Sequence, residues 1–222
     1  MDWEYNITMK HHVITIRSNA MSVGAAGRCM RSGKQFDLDI KMFDAITPED
    51  DPVAMAMDLG INVEGFHEVY SRYENCVAAF MSHFTLWSMC LEQKEEFTIF
   101  EHDAYIVNEI PEYIPYKEVV SLGKPSYGKW IDPKTFGVNP LTSKRYFPGA
   151  HAYRLRPTGA EKLIEQAKIY AKPTDVYLHV DTFPKLQEYY PWPVEARDSF
   201  TTIQKTKGCL AKHNYNEAYK II

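Results

Sequence analysis

The clearest periodic pattern in the chain lies between Glu74 and Glu92, where apolar residues recur every three or four positions. They are Val77, Phe80, Met81, Phe84, Trp87 and Leu91. This spacing predicts an amphipathic helix. The apolar run Phe97–Phe100 follows and predicts a short buried strand. A helix, a strand and then an acidic cluster at 101–103 are typical of α/β proteins.

Other segments have shorter patterns. Val13–Ile16 predicts a first strand, and Phe36–Ile46 alternates apolar and polar residues as a second strand would. Ala152–Leu155 predicts another strand, and Pro157–Tyr170 predicts a helix with proline in its first turn. Met21–Arg31 suits either a helix or a loop.

In three regions the apolar residues show no regular spacing. Residues 111–148 are rich in Pro, Gly, Lys and aromatic residues, which predicts long active-site loops. Val176–Val180 suits a strand or an irregular segment, and 181–222 mixes turns with a weak final helix.

The composition is that of a globular protein of ordinary domain size. Of 222 residues, 45% are hydrophobic and 24% are charged. No apolar run approaches the roughly 18 residues needed to cross a bilayer. The four cysteines (Cys29, Cys76, Cys90 and Cys209) show no CxxC spacing, so we expect reduced thiols and a cytoplasmic protein.

Positive charge is concentrated in 117–145. The whole chain has a net charge of −4, whereas this segment has a net charge of +4. Its cations alternate with aromatic residues, as expected where a phosphate backbone is bound and a base is stacked. The candidate residues for binding such a ligand, which would be the acceptor if the protein were a transferase, are Lys129, Trp130, Lys134 and Arg145. The alternatives are a solvated loop face and a site for the phosphates of a donor.

Glu101 and Asp103 come directly after a predicted buried strand, where open α/β sheets bind ligands. Only one residue separates them, so both carboxylates can face one divalent cation. Mg²⁺ or Mn²⁺ at this position would neutralise a leaving diphosphate. From these residues alone, a solvated strand end is the alternative interpretation.

Longer stretches resemble glycosyltransferase family 25. The string from Ala79 to Ile106 is similar to that family's ALSH-type helix, strand and ILEDDA-like acidic motif. VITIRSN at 13–19 resembles the family's first strand. Pro148–Ile164 resembles its GxxAYLLSxxGAxKLL segment, and PTDVYL follows. These segments keep the family's order and together cover about half of the chain.

The resemblance implies a GT-A fold, which is an α/β fold with a Rossmann-like mixed sheet flanked by helices. A single domain would span 1–222, with a nucleotide-sugar-binding half at 1–110 and an acceptor-binding half at 111–222. The implied activity is transfer of a sugar from a UDP-sugar to a hydroxyl acceptor, assisted by Mn²⁺ or Mg²⁺.

The resemblance also implies site residues by position. Glu101 and Asp103 would hold the metal and the donor diphosphate. The other implied donor-binding residues are Arg17, Ser18, Arg28, Ser82 and His83. For His83 the alternative is a hydrogen-bonded core histidine, and for Arg28 it is a surface residue.

One residue departs from the family pattern, since His102 stands where the family has the second acid of its EDD motif. Histidine can ligate Mn²⁺. A further metal ligand often comes from the C-terminal half of such enzymes, and His179 or Asp181 is the candidate. If transfer inverts the sugar, Asp175 or Asp181 would be the general base. Asp103, Asp175 and Asp181 are therefore the candidate catalytic carboxylates.

Three functions remain at this point. The first is an active transferase whose acceptor is either a hydroxymethylated pyrimidine extruded from DNA, as in phage DNA modification, or a bacterial surface glycan. The second is a degenerate transferase that only binds nucleotide sugar or carbohydrate. The third is an unrelated nucleotide-binding or structural protein. The oligomeric state and the sugar are left open.

Overall fold

A seven-stranded mixed β-sheet forms the centre of the computed structural model, which describes residues 9–66, 71–197, 200–205 and 220–222. The strands are β1 (Lys10–Thr15), β2 (Ile40–Asp44), β3 (Phe97–Glu101), β4 (Ala104–Ile106), β5 (Val119–Ser121), β6 (Gly137–Pro140), β7 (Ala152–Leu155), β8 (Gln187–Tyr190), β9 (Val194–Ala196), β10 (Phe200–Thr201) and β11 (Lys220–Ile221). The helices are α1 (Ala20–Lys34), α2 (Pro52–Asp58), α3 (Tyr73–Gln93), α4 (Pro157–Ile169) and α5 (Thr174–Tyr177).

The strand order across the sheet is β2-β1-β3-β7-β5-β8-β6. β2, β1 and β3 are parallel, whereas β7 runs antiparallel to both β3 and β5. The chain forms β2 on one side of β1 and β3 on the other. The carboxyl ends of β1 and β3 therefore border a topological switch point, where open α/β sheets bind ligands.

Hydrophobic cores cover both faces of the sheet. Successive strand residues point to opposite faces, and accordingly Val13 and Ile14 of β1 belong to different cores. The larger core includes the buried faces of α3 and α4, and the smaller core includes Ala26 and Cys29 of α1. This is the predicted single-domain α/β architecture with helices on both sides of a mixed sheet.

The helix positions have local causes. α1 begins where the Asn19 side chain accepts hydrogen bonds from the backbone N–H groups of Met21 (2.9 Å) and Ser22 (3.1 Å). α4 approaches the start of β5 closely because Gly159 has no side chain. A Cβ at this position would lie 2.4 Å from the carbonyl oxygen of Glu118.

The strongly periodic segments have the predicted structure. The helix predicted at 74–92 is confirmed as α3, and the strand predicted at 97–100 is confirmed as β3. The predictions that correspond to β1, β7 and α4 are also confirmed. The second predicted strand is shorter than its pattern, because 35–37 form a turn before β2 begins. The segment left between helix and loop at 21–31 lies within α1.

The aperiodic segments were less predictable. The interpretation of 111–148 as loops alone is wrong, because this region contains β5 and β6. The C-terminal region contains β8 and β9, and residues 174–177 form α5. These strands have only three or four residues and pair with distant strands, so their conformation depends on tertiary contacts. Most of the region of the predicted final helix lies outside the described residues.

Two further facts concern the environment of the chain. Within the described part of the chain, no helix is long and apolar enough to span a membrane. Cys29, Cys76 and Cys90 are buried, and no disulfide joins them within the described residues. Burial raises the pKa of the Cys90 thiol to about 12. Cys209 lies outside the described residues.

Candidate active site

A cavity of about 360 Å³ opens at the carboxyl ends of β1, β2 and β3. We call it the strand-end cavity. Its lining includes Ser18, Asn19, Ser82, His83, Glu101 and His102. This volume is within the range of small-molecule sites, and the position is the switch point of the sheet.

The carboxylate of Glu101 is held at this cavity by a buried hydrogen-bond network. Glu101 Oε1 lies 3.2 Å from His83 Nε2, and His83 Nδ1 lies 2.8 Å from the hydroxyl of Tyr153. The same hydroxyl accepts a hydrogen bond of 2.7 Å from Trp87 Nε1. His83, Tyr153 and Trp87 are all 1% exposed or less. The network therefore connects the protein core to the lining of the cavity.

The protons of this network can be assigned from its geometry. The Trp87 indole N–H can only donate, so the Tyr153 oxygen accepts from it. Burial raises the pKa of Tyr153 well above its ordinary value, so its hydroxyl keeps a proton and can donate it to His83 Nδ1. His83 then carries its own proton on Nε2 and donates it to Glu101. The Nε2 of His83 thus orients the carboxylate of Glu101.

Two buried serines fix the loops around the cavity. Ser82 Oγ accepts a hydrogen bond from Ile46 N (2.9 Å), which fixes the loop after β2 to α3. Ser22 Oγ accepts from Ile16 N (2.9 Å) and lies 3.1 Å from His102 Nδ1. The His102 ring also stacks on Phe200 at 5.1 Å. The loops after β1, β2 and β3 are therefore all anchored.

A wider cleft of about 700 Å³ lies among the loops of the second half of the chain. We call it the loop cleft. Its lining includes Lys129, Trp130, Lys144, Arg145, Tyr146 and His179. Trp130 is 37% exposed, and the Tyr146 ring stacks on His179 with an interplanar angle of 8°. An exposed indole beside cations can contact a sugar ring or a nucleobase.

One wall of the loop cleft is organised around Lys144. Its ammonium donates to the carbonyl of Tyr127 (2.7 Å) and lies 5.0 and 5.2 Å from the ring centroids of Tyr127 and Tyr146. The Tyr127 hydroxyl in turn donates to Asp175 Oδ2. Burial and the nearby charge of Asp175 raise the pKa of Tyr127. Lys144 is therefore part of the structure of the wall.

Comparison with protein families identifies the chain. The family model described as "Glycosyltransferase family 25 (LPS biosynthesis protein)" matches residues 28–142, which is more than half of the chain. The chain belongs to glycosyltransferase family 25. The matched region contains α3, β3 and the acidic cluster at 101–103. The resembling segments at 13–19 and 148–164 lie outside it.

A search of solved structures finds matching chains. One match is the crystal structure of mouse xyloside xylosyltransferase 1 in its apo form. It has 12% sequence identity and a TM-score of 0.38, and the similarity covers 81% of this chain and 84% of that chain. A search of curated proteins finds no significant match.

In this glycosyltransferase, the predicted donor-binding residues divide into two groups. Ser18, Ser82, His83 and Glu101 line the strand-end cavity. Arg17 and Arg28 are exposed and are not part of its lining, and Arg17 forms an ion pair with Asp44. The structure thus brings together four of the six predicted residues.

The three predicted metal ligands do not meet in one site. Glu101 lines the strand-end cavity, His179 lines the loop cleft, and Asp103 lines neither. Within the described ranges, no group of three or more His, Cys, Asp or Glu residues could hold a metal ion. These side chains do not fit a three-ligand protein site, and the need for Mn²⁺ or Mg²⁺ stays a prediction.

The predicted acceptor and catalytic residues lie mainly at the loop cleft. Lys129, Trp130 and Arg145 line it, whereas Lys134 is exposed outside it. Asp181 forms an ion pair with Arg145, and its Oδ2 lies 3.4 Å from His179 Nδ1. Both oxygens of Asp175 accept hydrogen bonds, from the Tyr127 hydroxyl and from the Val176 N–H. Neither aspartate lines the strand-end cavity.

Several residues of the strand-end cavity and its network were not predicted. Trp87 and Tyr153 belong to the network, and Arg72, Asn75 and Thr202 line the cavity. Tyr153 lies within the family-like segment at 148–164, which could have indicated a role. No motif points to Arg72, because its N–H groups donate to residues more than 100 positions away.

Proposed function

We propose that this family 25 glycosyltransferase binds a UDP-sugar in the strand-end cavity and transfers the sugar to a hydroxyl acceptor bound in the loop cleft. The observation that carries the proposal is the buried network that presents Glu101 at the switch point of the sheet. Buried polar networks of this kind are costly unless fully paired, and here each member has a partner.

The lining of the strand-end cavity suits a nucleotide sugar. Apolar side chains such as Ile14, Ile46 and Ala78 can contact a flat base, while Ser18 and Asn19 offer hydrogen bonds to a ribose. Glu101 is oriented by His83 before any ligand binds. Such preorganisation contributes to rate because no reorganisation is needed when charge develops.

The acceptor site is proposed on the chemistry of the loop cleft. Trp130 provides an exposed stacking surface, Lys129 provides positive charge, and Arg145 adds a cation that is paired with Asp181. Asp175 and Asp181 stay the two candidates for a general base, since both oxygens of Asp175 accept hydrogen bonds and Asp181 is paired with Arg145. Asp181 lies beside His179, which lines the cleft.

Two acceptors are compatible with this chemistry, namely a hydroxymethylated pyrimidine in DNA and a bacterial surface glycan. The case for DNA depends on cations that can reach phosphates. Lys124 pairs with Glu195, Arg145 pairs with Asp181, and Lys144 is held between two tyrosines. Lys129 and Lys134 are exposed, and within the described ranges they form no ion pair. These two lysines therefore carry the nucleic-acid hypothesis.

The test is a screen of turnover. The protein is incubated with mixed UDP-sugars and Mn²⁺, and donor hydrolysis and sugar transfer to hydroxymethylated DNA or to glycans are followed by mass spectrometry. Transfer to either acceptor supports the proposal and identifies the acceptor class. Donor binding without any turnover would instead support the degenerate binding module. The absence of any UDP affinity would contradict both.

A further inference from the structure

A nucleotide diphosphate brings negative charge into a cavity that already contains two carboxylates, Glu49 and Glu101. A site for such a ligand needs a cation close to the phosphates, because an uncompensated anion is costly to desolvate. The two arginines predicted for this role, Arg17 and Arg28, are not part of the lining. The structure offers another residue instead.

Arg72 lines the strand-end cavity and directly precedes α3. Among the described residues of this lining, it is the one Lys or Arg. It forms no ion pair with a side-chain carboxylate in the described part of the chain. Arg72 is therefore a cation at the cavity for which the described side chains supply no carboxylate partner.

The guanidinium of Arg72 is fixed by one hydrogen bond but has a further N–H group that no described residue uses. Its Nη2 donates a hydrogen bond of 2.7 Å to the main-chain oxygen of Ile222. Its Nε is buried and has no hydrogen-bond partner among the described residues. A buried N–H without an acceptor is unfavourable, and a ligand oxygen placed beside it would remove that cost. The planar guanidinium can bind two phosphate oxygens at once.

The C-terminal residues fix the position of Arg72. Its backbone N–H donates to the carbonyl of Ile203 (2.9 Å), and the side chain of Asn75, one turn into α3, donates to the carbonyl of Thr202 (2.9 Å). Ile203, Thr202 and Ile222 also line the cavity. Arg72 is thus anchored on the side of the cavity formed by α3 and the C-terminal segments.

We infer that Arg72 binds the diphosphate of the nucleotide-sugar donor and supplies most of the selectivity for a phosphorylated nucleotide over a nucleoside. This inference rests on the proposed function, since it assumes that the strand-end cavity binds a UDP-sugar. It adds a residue that no family-like motif contains.

Isothermal titration calorimetry with UDP and with uridine, in one buffer containing Mg²⁺, tests the inference. Arg72→Gln removes the charge while retaining an amide that can donate to Ile222. We expect UDP affinity to fall by about 10- to 100-fold, as for loss of a charge-assisted hydrogen bond, with uridine affinity unchanged. Arg72→Lys keeps the charge and should retain part of the UDP affinity.

Arg31→Gln is the matched control, because Arg31 is an exposed arginine of α1 outside the cavity lining. It should bind UDP and uridine as the wild type does. Thermal melts monitored by circular dichroism verify that each variant is folded. UDP affinity that is unchanged in Arg72→Gln, or an equal loss for UDP and uridine, would overturn the inference while leaving the proposed function intact. A wild-type protein that binds neither ligand would overturn both.

Discussion

The strand-end cavity and the loop cleft are built in opposite ways. The cavity is formed where three parallel strands end, and its central carboxylate is oriented by side chains that are almost completely buried. The cleft is formed by loops, is about twice as large and carries an exposed tryptophan. Rigid elements position a defined chemical group, whereas loops provide adaptable surface. This difference suits a common donor chemistry in the cavity and a variable acceptor in the cleft.

The largest expected effect concerns Glu101. Glu101→Gln removes the negative charge but keeps an oxygen that can accept from His83 Nε2. If the cavity contains the reacting centre, kcat for transfer or donor hydrolysis should fall by about 100- to 1,000-fold, as for loss of a preorganised electrostatic group.

Glu92→Gln is the control, because Glu92 is an exposed glutamate of the same helix as His83. Steady-state kinetics with the donor identified by the screen provide the measurement. Equal turnover in Glu101→Gln and Glu92→Gln would show that the strand-end cavity does not contain the reacting centre.

The second prediction concerns how the stability of the protein depends on pH through His11 in β1. Burial, together with the positive charge of Arg154, lowers the pKa of His11 in β1 to about 4. The unfolded chain titrates near pH 6.5, so between these values the unfolded state binds the extra proton. The free energy of unfolding should therefore decrease by roughly 3 kcal/mol as pH falls from about 6.5 to about 4.

Urea denaturation at a series of pH values measures this dependence. The free energy of unfolding should depend less steeply on pH in His11→Asn, because asparagine cannot take up the proton. An identical pH dependence in both proteins would show that the acid sensitivity does not arise at His11.

The third prediction concerns the buried network. Tyr153→Phe leaves both the Trp87 indole N–H and His83 Nδ1 without their hydroxyl partner in the core. We expect a loss of about 2 kcal/mol of unfolding free energy, because buried polar groups would be unpaired. Tyr113→Phe is the control, since Tyr113 is 78% exposed. Equal stabilities in urea denaturation would mean that the network does not contribute to folding.

The smallest effect on stability is expected for Lys129, which lines the loop cleft, and Lys134, which lies outside it. Lys129→Glu combined with Lys134→Glu changes two exposed side chains, so unfolding free energy should change by less than about 0.5 kcal/mol. If the acceptor is DNA, retention on duplex DNA at low salt should be lost while UDP binding is unchanged. Lys168→Glu, an exposed change on α4, should not affect retention. Unchanged DNA retention in the double variant would remove the argument for a nucleic-acid acceptor.

The sequence could predict the part of the site that depends on local pattern. Glu101 follows a compact apolar strand, and Ser82 and His83 lie on a helix with a regular apolar face. Once α3 and β3 are recognised, these three residues can be placed near one end of the sheet. His179 shows the limit, since it was grouped with Glu101 as a metal ligand but lines the other cavity. Its place depends on how the loops after α5 pack.

The C-terminal half shows the same limit at the level of the fold. β5 and β8 form neighbouring strands although more than 60 residues separate them in the chain. Neither has enough residues for a recognisable alternation. Their pairing with β7 and β6 supplies the hydrogen bonds that stabilise them, and that pairing is absent from any local window of sequence.

The amino-acid sequence by itself determined the family, the main helices and the central strands, because periodic apolar residues specify these elements over a few turns. Only the tertiary structure decided that Tyr153 meets His83 and that Arg72 faces the strand-end cavity. Tyr153 and His83 are 70 positions apart in the chain, and Arg72 and its hydrogen-bond partner Ile222 are 150 positions apart. They exist because the whole sheet and its helices pack together, and no local pattern encodes them.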